Sequence, residues 1–154
     1  MKQGKYIVMS ENKNRISART VGIAKYMREH AKAFGLNPDA MYAMGLLANK
    51  YMRECKPGMD TERLEFKELC KGFGFDKFVK VYKLHPKEVI KQFGVQAITP
   101  EYLLFLEADI HISKNGEYIS LEDRLLEILD EYGKDSLQYK SSVRLLEDLI
   151  ASWT

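Results

Sequence analysis

The feature that most constrains this chain is a helical spacing of apolar residues that recurs from about residue 14 to the end, cut into lengths by cap signals. Ile16, Thr20, Ile23, Met27, Ala31 and Phe34 advance in steps of three and four, which predicts a long amphipathic helix over 14–34. Gly35 stops it, and Leu36 can close the cap with an apolar contact. Asn37 then offers an N-cap and Pro38 a first helical residue. The second helix that starts there carries Met41, Met44, Ala48 and Tyr51 on its inner stripe and ends near Pro57–Gly58.

The same reading continues along the chain. A third helix is expected over about 61–71, with Phe66, Leu69, Cys70 and Phe73 on one side and Gly72 and Gly74 as punctuation. Phe75, Phe78, Val79 and Tyr82 mark a fourth. Pro86 starts a fifth through Val89, Ile90 and Phe93, closed by Gly94. Thr99–Pro100–Glu101 opens another to about Ile110, Ser120–Asp123 caps one through Tyr132, and Asp135 with Gln138 opens the last. The stripe of that last helix is Tyr139, Val143, Leu146, Ile150 and Trp153. Asn115–Gly116 favours a tight turn, which allows a small two-stranded ribbon near 110–119. The expectation is an all-α fold, a single helical domain over 1–154 with seven or eight helices.

Size and charge bound the function. A chain of 154 residues can build one hydrophobic core and is short for two. No apolar run approaches the ~18 residues of a membrane span. Tyr6 to Met9 is too short for a secretory segment, so a cytoplasmic protein is expected. Cys55 and Cys70 lie 15 apart with no second pair, which reads as two reduced thiols. The net charge is only +2, split into +9 over residues 1–98 and −7 over 99–154. That balance does not describe a dedicated nucleic-acid binder.

Several segments, in order, resemble one family. Ile16-Ser17-Ala18-Arg19-Thr20-Val21-Gly22-Ile23-Ala24, then Phe34-Gly35-Leu36-Asn37-Pro38, then Ala43-Met44-Gly45-Leu46-Leu47-Ala48-Asn49 are similar to the HD-domain superfamily of all-helical, metal-dependent phosphohydrolases. Leu106-Glu107-Ala108-Asp109-Ile110 and the stretch from Asn115 to Leu125 extend the likeness to about residue 132. The resemblance implies a divalent metal held by an early His, an adjacent His-Asp pair and a late Asp. In this sequence those positions are Ile16, Ala48-Asn49 and Asp109.

The departures are chemically severe. Isoleucine and alanine offer no lone pair, and Asn49 offers only a neutral carbonyl oxygen. One carboxylate with one amide cannot activate a bound water as a multi-ligand site does. No metal and no catalytic residue is therefore expected. An ion, if any were held, would rest on Asp109 and Asn49. The remnant pocket would comprise Ile16, Arg19, Ala48, Asn49 and Asp109, with apolar side chains filling the former metal cavity. Asp109 shares its helix with Tyr102, Phe105 and Leu106, and a carboxylate near a core needs a partner. Arg19 is the candidate.

Among the histidines, His30 lies about four turns along its helix from Ile16 and His85 precedes a helix-starting proline. His111, two residues after Asp109, points to nearly the opposite side of a continuous helix. A site rebuilt from Asp109, Asn49 and His85 or His111 is the alternative to ligand loss. Lys77, Lys80 and Lys83, continued by Lys87 and Lys91, are candidate contacts for a phosphate-bearing partner or simply a solvated helical face.

The functional expectation is an HD-like binding or regulatory module without metal-dependent hydrolysis and without a cofactor. Its ligand would be a nucleotide or another phosphate-bearing molecule, and self-association into a homodimer is allowed. Two alternatives stand beside it: an active phosphohydrolase with non-standard metal ligands, and a small protein-interaction module whose pocket has collapsed.

Overall fold

Cap chemistry divides the chain as its sequence implies. The structure, a computed structural model, describes residues 17–48 and 73–153. Seven α-helices occur among them: α1 Ala18–His30, α2 Pro38–Leu46, α3 Phe75–Val81, α4 Pro86–Phe93, α5 Pro100–His111, α6 Leu121–Tyr132 and α7 Leu137–Trp153. Short 3₁₀ turns follow α1 at Ala31–Phe34 and α4 at Val95–Ala97. The fold is all-α. No helix among the described residues is long and apolar enough to cross a membrane.

Helix starts follow side-chain caps that satisfy otherwise unpaired amides. Ser17 accepts from the Thr20 amide, Asn37 from Ala40, Thr99 from Tyr102 and Ser120 from Asp123. The first of these corrects an expectation, because α1 begins at Ala18 rather than at residue 14 and Ser17 is extended. Ile16, expected on that helix's inner stripe, lies outside the described residues. At the other end Gly35 has φ +72°, and the Leu36 amide reaches back to the Ala31 carbonyl at 2.9 Å while its side chain packs on the core. The last helix also opens differently. Ser136, not Asp135, accepts the Tyr139 amide at 3.1 Å.

Helix α5 is the spine. Leu104, Phe105 and Ala108 face a core built from Ile23, Met27, Met41, Met44 and Leu47 of the α1–α2 pair together with Phe75 and Phe78 of α3. Tyr102 and Leu106 face a second cluster with Val81, Val89 and Leu145. Burying an aliphatic side chain of this size contributes ~1.5–3 kcal/mol, an upper bound because the unfolded chain already hides some surface. Close approach of α1 and α2 depends on Gly45, where an added Cβ would stand 2.6 Å from the Ala24 Cα.

Over its described side chains the inward face of α7 is turned from the expected stripe, of which Ile150 and Trp153 lie outside the described side chains. Leu145 and Asp148 are buried, whereas Tyr139, Val143 and Leu146 are only half-buried. Leu145 packs in the second core cluster, Lys87 of α4 reaches Asp148 at 3.0 Å, and His85 pairs with Ser141 at 3.0 Å, contacts that accompany this face. On α4 itself only Val89 is buried, while Ile90 and Phe93 are exposed. The expected ribbon near 110–119 reduces to a single antiparallel bridge, Ile112 to Tyr118, around the Asn115–Gly116 turn. The helix expected over 61–71, the end of the second helix, and Tyr51, Cys55, Cys70 and Gly72 lie outside the described residues.

Candidate functional site

Of the five residues expected to form a remnant pocket, Arg19, Ala48 and Asp109 are described, and Ile16 and Asn49 fall outside the described residues. Ala48 is fully buried in the α1–α2–α5 cluster with Met44, Leu104, Ala108 and Ile112. Packed hydrocarbon surrounds it. Asp109 lies at the far end of α5, and Arg19 of α1 donates through Nη2 to its Oδ1 at 2.9 Å and to its main-chain carbonyl at 2.8 Å. The ion pair named from the sequence is thus present, and it is partly open to solvent, with side-chain exposures of 21% and 38%.

Arg124 of α6 completes this polar corner. It donates to Glu127 one turn on, and Glu127 in turn accepts the Lys114 amide at 3.0 Å, tying α6 to the turn after α5. Burial first, and then the nearby Arg19 charge, hold the Arg124 guanidinium below its ordinary range, against the opposing pull of Glu127 and Asp109. The space beside Asp109, lined by Ile110, Leu121, Arg124 and Leu145 among others, is about 60 Å³. That is far below the ~300 Å³ at which small-molecule sites begin.

The histidines do not join Asp109. His85 is engaged with Ser141, His30 stacks on Tyr26 with ring centroids 4.1 Å apart, and His111 bonds the Ile119 carbonyl at 2.9 Å. Among the described residues no three His, Cys, Asp or Glu side chains gather as a metal site would require. Lys77, Lys80 and Lys83 are all exposed along and just past α3. The structure brings them to no cavity wall among those described.

A second polar group, which sequence reasoning passed over, lies on the opposite side of α5. Glu107 and His111 stand four residues apart and share one face, whereas Asp109 is about 200° round the helix from Glu107. Tyr26 donates to Glu107 Oε1 at 2.6 Å. Burial, reinforced by Glu107, pushes the Tyr26 phenol well above its ordinary value, so it keeps its proton and remains a donor. Tyr118 stacks on both His111, at 4.9 Å, and Tyr26, at 6.2 Å. The Glu-x-x-x-His spacing was legible in the sequence; the tyrosines that frame it come from other segments.

Beside this group lies a larger cavity, about 350 Å³, lined by Phe34, Leu103, Leu106, Ile110 and Leu121 and bearing Glu107 and His111. No family model, no curated protein and no solved structure matches this chain.

Proposed function

We propose that this chain is a non-hydrolytic binding protein on an HD-like helical scaffold, a module that holds a ligand rather than turning one over. One observation carries the reading: Asp109, the sole carboxylate left at the four family metal positions, is engaged by Arg19 through both its side chain and its main chain. A guanidinium at that distance competes directly with a metal for the same oxygen. Ala48 supports it further, since its surroundings are packed and its side chain has no donor atom. The exposed lysines of α3, Lys77 and Lys80, with Lys83 beyond, offer a solvated face where a phosphate-bearing partner would meet positive charge.

The test uses the purified full-length chain. Elemental analysis should find no stoichiometric divalent metal, and nucleotides and phosphate esters with added Mn²⁺ should not be hydrolysed above background. Mn²⁺-dependent turnover that disappears in Asp109→Ala would overturn the reading. A ligand that binds only the folded state raises the Tm, so a thermal-shift series with nucleotides measures whether the lysine face binds phosphate.

A further inference from the structure

The 350 Å³ cavity on the Glu107 side of α5 has a definite polarity. Glu107 Oε1 is taken by the Tyr26 hydroxyl, and Oε2 accepts no hydrogen bond from any described residue. The Ile119 carbonyl can only accept, so the proton of a neutral His111 sits on Nδ1 and its Nε2 is a bare acceptor. The two groups are neighbours on one helical face. The remaining wall is hydrocarbon, from Phe34, Leu103, Leu106, Ile110 and Leu121. Among the described residues the lining thus carries two polar side chains, the carboxylate Glu107 and the acceptor His111, and no Lys or Arg to offset them. Its volume falls within the ~300–1,000 Å³ typical of small-molecule sites.

We propose that this cavity binds a small organic cation, a primary ammonium carried on an aliphatic or aromatic body. The ammonium has three donors and no acceptor, matching Glu107 Oε2 and His111 Nε2. The hydrocarbon body lies against Leu103, Leu106 and Ile110, where water is displaced from apolar surface. Tyr26 holds the carboxylate in place by its own hydrogen bond, and Tyr118 fixes the His111 ring by stacking, so both acceptors are set before a ligand arrives. An anionic ligand would meet the Glu107 charge without a compensating donor. The inference rests on the binding-protein reading above but concerns a different face of α5, so the two can fail separately.

Binding of 2-phenylethylammonium and of its neutral counterpart 2-phenylethanol to the full chain, measured by calorimetry at pH 8 in low salt with a chelator present, tests it. The ammonium is expected to bind at least tenfold more tightly than the alcohol. Glu107→Gln keeps an oxygen for Tyr26 and should bring the two ligands within about twofold of each other. Leu103→Trp, at a lining position 40% exposed and so tolerant of bulk, should weaken both tenfold or more by filling the cavity. Equal affinities in the unaltered protein, no binding of either compound, or ammonium binding unchanged in Leu103→Trp would overturn the proposal. A preference that survives in folded Glu107→Gln would do so too. Metal-dependent hydrolysis of phosphate esters would instead defeat the non-hydrolytic reading while leaving this result intact, because no metal takes part here.

Discussion

Arg19 holds Asp109 twice, through one nitrogen that reaches both the carboxylate and the main-chain carbonyl of the same residue. This joins the start of α1 to the end of α5 across 90 residues of sequence. Arg19→Ala removes both bonds and should cost ~1–2 kcal/mol, at the lower end for charged hydrogen bonds because the pair is partly hydrated. Asp109→Asn keeps both acceptors and should cost less than half as much. Urea midpoints of the two variants give the comparison, and equal losses would mean that Arg19 acts only by packing.

Ala48 is fully buried, at the position where the proposed HD-like reading would expect an imidazole. Restoring an imidazole there forces a larger, polar side chain into packed hydrocarbon. Ala48→His should therefore lower stability by ~1–3 kcal/mol, the usual cost of overpacking, and should not confer binding of Zn²⁺ or Mn²⁺. Denaturation together with metal titration by calorimetry checks both halves.

Gly22 faces the turn at Gly116 so closely that an added Cβ would stand 2.4 Å from the Gly116 carbonyl oxygen. The obstacle is main chain, which cannot swing aside as a flexible side chain would. Gly22→Ala should destabilise the protein by ~1–3 kcal/mol and, by moving the turn, weaken the Tyr26–Tyr118–His111 stack. Loss of tyrosine near-ultraviolet dichroism alongside the lower midpoint is the expected signature.

Tyr102 and Tyr26 should ionise late. Tyr102 is raised by burial, with its hydroxyl donating to the Leu84 carbonyl at 2.5 Å, and Tyr26 by burial and Glu107. In the unfolded chain both would lose their protons near pH 10. The folded state keeps more protons above that pH, so the stability contributed by these phenols is fully present below about pH 10 and declines as pH rises further. Spectrophotometric titration should show a late fraction that shrinks in Tyr102→Phe and again in Tyr26→Phe.

How much of this was readable in advance depends on the range of the interaction involved. The caps at Ser17, Asn37, Thr99 and Ser120 are bonds to an amide three residues on, so the letters alone place α2, α5 and α6 to within a residue or so. The Arg19–Asp109 pair was also within reach, because a carboxylate near a core needs a cation and the resemblance put those helices side by side. The rotation of α7 was not. Apolar periodicity there allows more than one inward face, and the observed one packs Leu145 on Val89 and Tyr102 and meets Lys87 and His85, all from earlier segments.

The amino-acid order by itself determined an all-α fold, where most of its described helices start and stop, and that positions 16 and 48 carry aliphatic side chains with no donor atom. Those properties are local or chemical, and each residue carries them wherever it sits. Only the tertiary structure decided that Ala48 is packed in hydrocarbon, that Gly22 touches Gly116, and that Phe34, α5 and Leu121 enclose a space with Glu107 and His111 on its wall. A cavity is made by surfaces that distant segments leave unfilled, and no periodicity within one segment encodes it.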